Sequence, residues 1–281
     1  MTRFENQKYD GERPFYNTKD IELVNITIGV GESAIKETDN VIAESCTFEG
    51  RYPFWCNKGV KINNCKFGDD ARAALWYSSD LEITNTVFDS PKALRELDRI
   101  KMSDSKVNNA IEYFWFCRGI ELNNVEIHNG DYLFLHSENI VCRNFKFQGK
   151  YSFQYCKNIL IEDSYLDTKD AFWNTENVTL RNCTVKGEYL AWYCKNLRME
   201  NCHITGTQPL CYADNLVMID CTMGDDADLA FEYSSVDATI KSNIASVKNP
   251  TTGKIVADSI SEIILDENIR QPADCKIITK K

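Results

Sequence analysis

The chain has 281 residues, a formal net charge of −10 at pH 7 and a calculated isoelectric point near 5.0. This charge argues against nucleic acid or an anionic membrane as a partner, because both bind to a basic face. Hydrophobic residues make up 43% of the sequence while glycine and proline are few, which is typical of an ordered globular protein.

The N-terminal sequence, MTRFENQKYDGERPF, lacks the apolar stretch of a signal peptide, and no apolar run approaches the length of a membrane span. Twelve cysteines without such a leader indicate reduced, buried thiols rather than a disulfide framework. We therefore expect a cytoplasmic protein with no cofactor and no bound metal.

A repeat of 19 to 21 residues runs through most of the chain. Over residues 159–216 three successive segments read ILIEDSYLDTKDAFWNTEN, VTLRNCTVKGEYLAWYCKN and LRMENCHITGTQPLCYADN. Each segment begins at an apolar residue; these starts are Ile21, Val41, Val60, Leu81, Ile100, Ile120, Ile140, Ile159, Val178, Leu197, Leu216 and Val236. Self-similarity at this period predicts a solenoid in which each segment forms one coil.

Each segment predicts three short strands separated by bends. Apolar residues at the start and two places on, such as Val60 and Ile62, alternate with polar ones, which is the pattern of a half-buried strand. Four places after most starts stands Asn or Asp, such as Asn182, and these residues tolerate the left-handed backbone of a bend. A second strand carries small residues such as Cys183 and bulky ones such as Val185. A third strand, rich in aromatic residues, then closes the coil. We call this part of each coil the third segment.

Three strands and three bends in so few residues leave no room for a helix. We therefore predict an all-β fold, a single-stranded parallel β-helix of about 12 coils, and a right-handed one because parallel crossovers favour that hand. One domain is expected over residues 1–281. Within it, residues 1–20 are interpreted as an irregular N-terminal cap, 21–235 as regular coils, and 236–281 as irregular last coils and a C-terminal cap, with a loop at 248–254.

The third segment carries three columns of residues, named here after a frequent aromatic member. The Trp column lies five places before the next start: Trp55, Trp76, Trp115, Leu135, Gln154, Trp173, Trp192, Cys211 and Phe231. The Phe column lies one place earlier: Phe54, Leu75, Phe114, Phe134, Phe153, Phe172, Ala191, Leu210 and Ala230. The Tyr column lies one place later: Cys56, Tyr77, Phe116, His136, Tyr155, Asn174, Tyr193, Tyr212 and Glu232.

Only one face of a strand can point into the coil. The small or apolar residues beside the Trp column favour placing it inside, with the Phe and Tyr columns outside; the opposite orientation is the alternative. In either orientation an aromatic column faces outward. A continuous exposed aromatic surface marks an interaction site, which would serve flat sugar rings or be covered by a terminal segment or a second subunit.

The coil that begins at Leu81 interrupts the columns with Leu94, Arg95 and Glu96. We predict a binding site at this charged notch in the aromatic surface. Its candidate residues are Arg95, Glu96, Glu112, Arg72, Tyr77, Phe116, His136 and Tyr155. The structural alternative is a surface ion pair on a short helical turn. No catalytic residue is identified.

The remaining motifs favour structural roles. Repeated cysteines, such as Cys183, Cys202 and Cys221, mark a small apolar position of the core rather than metal ligands. The pairs Asp69–Asp70 and Asp225–Asp226 recur on two bends, where solvated turns are favoured over a Ca²⁺ site.

The repeat resembles the pectate-lyase-like right-handed β-helix superfamily. The stretches KDAFWNTENVTL, KGEYLAWYCKNL and DNLVMIDC are more closely similar to an uncharacterised bacterial family of unknown function within it. The superfamily includes lyases and hydrolases that act on acidic glycans, so the resemblance implies a carbohydrate-related role. Neither the Asn-Thr-Asp, Gly-His-Gly and Arg-x-Lys set of the polygalacturonase-like hydrolases nor a recognisable lyase Arg and Ca²⁺ set is found here.

Two classes of function follow. The first is a β-helix that binds or processes carbohydrate through its exposed aromatic stripe, with a neutral or short oligosaccharide favoured by the net charge. The second is a non-enzymatic scaffold whose stripe contacts a partner or forms a homo-oligomer.

Overall fold

The structure is a computed structural model that describes residues 1–280, and those residues form strands, turns and bends with no helix. The chain divides into two compact units, Met1–Val141 and Cys142–Lys281, of which Lys281 lies outside the described residues. Both units are parallel β-solenoids, as predicted. Whether the whole of 1–281 forms one domain stays a prediction.

The strands of the N-terminal unit are β1 (Thr2–Glu5), β2 (Lys8–Tyr9), β3 (Lys19–Val24), β4 (Thr27–Ile28), β5 (Asp39–Glu44), β6 (Thr47–Phe48), β7 (Phe54–Trp55), β8 (Lys58–Asn63), β9 (Lys66–Phe67), β10 (Leu75–Trp76), β11 (Ser79–Thr84), β12 (Val87–Phe88), β13 (Leu94–Arg95), β14 (Asp98–Val107) and β15 (Arg118–Asp131). The strand β16 (Glu138–Arg143) contains the division between the units. The strands of the C-terminal unit are β17 (Lys146–Lys150), β18 (Lys157–Glu162), β19 (Tyr165–Lys169), β20 (Glu176–Arg181), β21 (Thr184–Lys186), β22 (Lys195–Glu200), β23 (His203–Thr205), β24 (Asp214–Met223), β25 (Ser235–Lys248), β26 (Thr252–Ile264) and β27 (Lys276–Thr279).

Parallel pairing between successive coils builds both units. In the N-terminal unit β3, β5, β8, β11, β14 and β15 pair in that order, and Ile21, Val41, Val60, Leu81, Ile100 and Ile120 stand in register. In the C-terminal unit β18, β20, β22, β24 and β25 do the same, with Ile159, Val178, Leu197, Leu216 and Val236 in register. Like residues therefore stack on like at the inter-strand spacing of about 4.8 Å.

The first strand of a coil occurs 15 times in residues 1–280, against the predicted 12. The three additional coils begin with β1, β26 and β27. We expected residues 1–20 to be an irregular cap, but β1 pairs with β3 and β2 pairs with β4 in the same parallel register. At the other end β26 pairs with both β25 and β27. The parallel backbone pairing therefore continues outside the regular repeat.

The interior of both units follows the predicted first and second strands. Every segment start and the residue two places on is buried, for example Val60 and Ile62. In the second strand of the N-terminal unit, Phe48, Phe67 and Phe88 form a continuous stack with ring centroids 4.7 and 4.5 Å apart. Stacked side chains of one kind thus fill this part of the interior, as the homogeneous sequence columns predict.

The predicted bend four places after most starts is confirmed. Asn182 and Asn201 have φ values of 53° and 51°, in the left-handed region. Their side chains also bond along the column, since Asn182 Nδ2 donates to Asp163 Oδ1 at 2.9 Å and Asn201 Nδ2 donates to Asn182 Oδ1 at 3.0 Å. Asparagine serves here because it both accepts this backbone and supplies a donor and an acceptor.

The prediction of an interior Trp column is wrong. Phe54, Phe114 and Phe172 of the Phe column are at most 1% exposed, whereas Trp55 and Trp173 are half-buried. The third segment does not alternate as a strand does: each Phe-column residue and the residue before it are both buried, as Pro53 is with Phe54. Left-handed residues that interrupt the segment put two successive side chains on the same side.

The outward-facing aromatic column is confirmed, and it is the Tyr column. Tyr77 is 51% exposed, Phe116 45%, and Tyr155 and Tyr193 each 48%. The last member assigned from the sequence is corrected by one residue. Tyr212 N donates to the carbonyl of Glu232, so Glu232 occupies the Trp column and Tyr233 the Tyr column. Phe231 accordingly belongs to the Phe column, because the stretch that leads from Tyr233 to Val236 is one residue shorter than in the preceding coil.

In residues 1–280 there is no helix with the length and hydrophobicity that crossing a membrane requires.

The cysteines on the second strand give the first testable expectation. Cys183, Cys202 and Cys221 are each at most 2% exposed, and hydrogen bonding with Cys183 raises the pKa of Cys202 to about 11. Since the thiolate is the reactive form, a bulky maleimide should leave these three unlabelled until the protein unfolds. The exposed Cys56 is the internal control and should react at once. Rapid native labelling of Cys202, read by peptide mass spectrometry, would contradict the interior register.

Candidate functional site

The predicted notch in the N-terminal unit is a stack of rings and cations in the Trp column. Trp55 and Trp76 stack with their centroids 5.6 Å apart and an interplanar angle of 9°. The guanidinium of Arg95 lies 5.0 Å from the Trp76 ring and 4.4 Å from the Trp115 ring. On the other side of Trp55, Lys36 Nζ lies 5.9 Å from that ring. Arg95 therefore fills the place of a tryptophan.

Arg95 is also held by a carboxylate. Its Nη1 donates to Glu112 Oε2 at 3.4 Å, and Lys92 Nζ lies 3.0 Å from the same oxygen. The Arg95 side chain is 21% exposed. Two ring faces and an ion pair already hold the guanidinium, so it is a positioned cation with little free surface. The predicted surface ion pair is present, on the short strand β13 rather than on a helical turn.

The tryptophans of the Trp column also donate hydrogen bonds to backbone carbonyls. The indole nitrogen of Trp55 donates to the carbonyl of Ala73 at 2.8 Å, and that of Trp76 donates to Lys92 at 2.7 Å. In the C-terminal unit Trp173 and Trp192 donate in the same way to Tyr189 and Gln208. Each of these four acceptor residues has a left-handed backbone. The indole thus satisfies a carbonyl that the irregular third segment leaves without a strand partner.

The other predicted residues are less closely grouped. Glu96 is exposed in the Tyr column, and Arg72 is exposed, with no hydrogen bond or ion pair to Arg95 or Glu112 among the described residues. Tyr77 packs at 83° to Trp55 with centroids 5.6 Å apart. Phe116 and His136 lie parallel with centroids 5.4 Å apart. The structure thus joins Arg95 to Glu112, Tyr77 to the tryptophans, and Phe116 to His136.

Tyr155 belongs to the C-terminal unit, where its side chain is exposed in the Tyr column. Further along that column the structure shows a feature the sequence did not reveal. Tyr193 and Tyr212 stack with centroids 4.7 Å apart, and Tyr233 follows Tyr212 at 5.8 Å. Tyrosines at this spacing could have been read from the sequence if the register of the last coil had been correct.

A loop over residues 265–275, between β26 and β27, completes this feature into a cleft. The three tyrosines line it together with Arg270 and Gln271, and it encloses about 560 Å³. The backbone N–H of Arg270 points to the Tyr233 hydroxyl at 3.5 Å. We call this space the tyrosine cleft. Arg270 and Gln271 could not be found from the repeat, because the loop interrupts it.

Burial and charge set the chemistry of the tyrosine cleft. Partial burial raises the pKa of Tyr212, and the neighbouring Glu232 carboxylate adds to that shift. The phenol therefore stays protonated at neutral pH and can donate a hydrogen bond. Glu232 itself pairs with Lys248 Nζ at 3.0 Å. The cleft thus combines stacked aromatic rings, phenolic hydroxyls, a guanidinium and an amide.

The two pairs of aspartates lie on solvated turns. Asp69, Asp70, Asp225 and Asp226 are exposed in turns. Among residues 1–280 there is no group of three or more His, Cys, Asp and Glu side chains arranged to hold a metal ion.

A family model matches residues 2–278, almost the whole chain. The chain belongs to the DUF3737 family. That family is described as a protein of unknown function. No curated protein matches the sequence significantly.

Several solved structures align with this chain at low identity. The A-module of mannuronan C-5 epimerase AlgE4 from Azotobacter vinelandii is 11% identical, with a TM-score of 0.32 over 99% of this chain and 90% of that chain. The Streptococcus pneumoniae surface adhesin PfbA is 9% identical, with a TM-score of 0.32 over 87% and 71%. The catalytic domain of a GH87 α-1,3-glucanase bound to nigerose is 8% identical, with a TM-score of 0.34 over 99% and 63%. Because these scores are low, the fold of this DUF3737 member rests on its own strand registers.

Substitutions of Arg95 test whether this residue stabilises the stack in the Trp column. Replacing Arg95 with alanine removes two cation–π contacts and one partner of Glu112, so we expect a loss of about 1–3 kcal/mol. Replacing it with tryptophan should keep stability within about 1 kcal/mol of wild type, because an indole can continue the stack as Trp173 and Trp192 do at 5.3 Å. Denaturant unfolding of both variants measures this. Equal destabilisation by tryptophan and alanine would contradict the role of Arg95 as a stacking residue.

Proposed function

We propose that this protein binds carbohydrate, and that the tyrosine cleft is the binding site. The observation that supports this most strongly is a concave space of about 560 Å³ lined by three exposed or half-exposed tyrosines and two hydrogen-bonding side chains. Ligand sites are concave and combine apolar walls with a few polar groups that fix orientation. Of the two aromatic surfaces described above, the one in the C-terminal unit meets this description best.

The composition of the cleft suits a sugar ring. A pyranose has an apolar face of C–H groups and an equatorial rim of hydroxyls, so it needs a flat aromatic surface with donors and acceptors beside it. Tyr193 stands at one end of the tyrosine stack, because the preceding residue of its column is Asn174. Arg270 and Gln271 supply donors at the edge of the tyrosine rings.

A panel of mono- and oligosaccharides tests the proposal by thermal shift, followed by calorimetry for each sugar that raises the melting temperature. We expect Tyr193→Ala to weaken binding at least tenfold, because the stacking surface is lost. Tyr165→Ala is the matched control, since Tyr165 is 42% exposed in the same unit but lies on β19, outside the cleft. Equal affinities for the two variants, or no response to any sugar, would contradict carbohydrate binding at this site.

The surface of the N-terminal unit suits a second candidate function, contact with a protein partner or a second copy of the chain. Tyr77 and Phe116 expose large apolar side chains there, beside the charged Glu96. Exposed aromatic and apolar groups of this kind are typical of interaction surfaces. Light scattering of wild type and Tyr77→Ala tests it: a dimer that the substitution dissociates supports a scaffold role, and a monomer at all concentrations argues against self-association.

A further inference from the structure

The loop that completes the tyrosine cleft is fixed at both ends. Asn249 Nδ2 donates to Asp266 Oδ2 at 2.9 Å, and the backbone N–H of Asp266 donates to Asn249 Oδ1 at 2.9 Å. At the other end the N–H of Asp274 donates to the carbonyl of Thr251 at 2.8 Å. Between these anchors Arg270 lies at the cleft, where its own N–H faces the Tyr233 hydroxyl. The fold therefore holds both ends of the loop that carries Arg270.

Arg270 is the only basic residue of the loop, and no ion pair within the described part of the chain holds its guanidinium. Lys248 Nζ lies 3.0 Å from Glu232 and 3.7 Å from Asp266, and the bond to Glu232 raises the pKa of this lysine. Lys248 therefore offsets part of the negative charge of these two carboxylates. By contrast, no carboxylate of residues 1–280 lies within 4.0 Å of the Arg270 guanidinium. A guanidinium at a cleft wall with its donors unused is suited to a planar anion.

We propose that the sugar bound in the tyrosine cleft carries a single anionic group, a carboxylate or a phosphate, and that Arg270 is the residue that selects it. This rests on the proposed function of the cleft. The guanidinium binds the two oxygens of the anion with parallel N–H bonds while the ring lies against the tyrosines. Gln271 supplies a further donor at the same edge.

The net charge of −10 is compatible with this ligand. Charges separated by more than the Debye length of about 8–10 Å at physiological ionic strength are largely screened, so a small ligand responds mainly to Arg270 and its neighbours. A long acidic polymer would instead lie against many carboxylates of the surface. The inference is therefore limited to a short ligand with one charged group.

Three ligands with the same ring test the inference by calorimetry: glucose, glucuronate and glucose 6-phosphate. We expect wild type to bind at least one of the two anions at least tenfold more tightly than glucose, and which anion binds more tightly distinguishes the carboxylate from the phosphate. Arg270→Gln should remove this preference by weakening the anions at least tenfold more than glucose, while Arg270→Lys should retain part of it. Tyr193→Ala should weaken all three ligands alike.

The two variants separate the two ideas. If glucose binds as tightly as both anions, or if Arg270→Gln keeps the preference, selection of an anion by Arg270 is wrong, whereas carbohydrate binding stands as long as Tyr193→Ala weakens the sugars. If Tyr193→Ala changes nothing while Arg270→Gln abolishes binding of the anions, Arg270 is an anion site and the stacking role of the tyrosines is wrong. If wild type binds none of the three, the anionic-sugar inference is overturned.

Discussion

Replacing Gly187 with alanine should destabilise the C-terminal unit by more than about 4 kcal/mol or prevent its folding. Gly187 has a φ of +143°, which side-chain-bearing residues rarely adopt, and a Cβ placed on it would lie 1.2 Å from the carbonyl oxygen of Thr168 in the preceding coil. Relief would require the backbones of two coils to separate. That separation would break the parallel hydrogen bonds between β19 and β21, in which Leu166 stands opposite Val185.

Gly59→Ala is the matched control for this prediction. Gly59 also has a positive φ, +70°, but the nearest atoms to an added Cβ, those of Asn40, are 3.8 Å away, an ordinary contact. Alanine there bears the backbone penalty alone, about 1 kcal/mol or slightly more. The free energies of unfolding of the two variants, measured by thermal and denaturant unfolding, should therefore differ by about 3 kcal/mol or more. Similar midpoints for both would show that the coils tolerate the added Cβ.

The sequence predicts most of the solenoid because its columns record stacking directly. The starts at Ile159, Val178 and Leu197 stand in exact correspondence in the strand registers, as their 19-residue spacing requires. The bend at Asn182 was predictable for a separate reason: Asn is one of the few residues that adopt a left-handed backbone readily. Both inferences use local chemistry that repeats in every coil.

The orientation of the third segment could not be read in the same way. A period of two assumes an extended strand, but Phe172 has a φ of 60° and Asn174 a φ of 54°. Asn174 is compatible with a left-handed backbone, but phenylalanine and tyrosine do not signal one, so the aromatic columns give no general warning that the alternation fails. The Trp column therefore looked interior, although its indoles lie at the boundary and use their N–H groups on backbone carbonyls.

The candidate site was predictable only in part. The interruption at Arg95 is visible in the sequence, and so is the neighbouring Trp76. Sequence spacing does not show that both faces of the guanidinium are covered, since that depends on the side-chain directions of Trp76 and Trp115. The tyrosine cleft depends on a loop outside the repeat, and contacts between a repeat and an irregular loop have no periodic signal.

Because the Phe column faces the interior, replacing Phe172 with alanine should cause the second large loss of stability. Phe172 is 1% exposed and stacks on Phe153 with centroids 4.6 Å apart, so Phe172→Ala should cost about 3–5 kcal/mol. Alanine and phenylalanine bear a similar backbone penalty at a φ of 60°, so the loss measures packing.

Trp173→Ala provides the comparison, because it removes a larger side chain from the next position. The Trp173 indole is half-buried, and water can reach the carbonyl of Tyr189 when the indole N–H is lost, so we expect a smaller cost of about 1–3 kcal/mol. An interior Trp column would require the opposite order, with Trp173→Ala the more damaging change. Denaturant unfolding of the two variants under one set of conditions decides between the orientations, since the ranking does not depend on the absolute extrapolation to water.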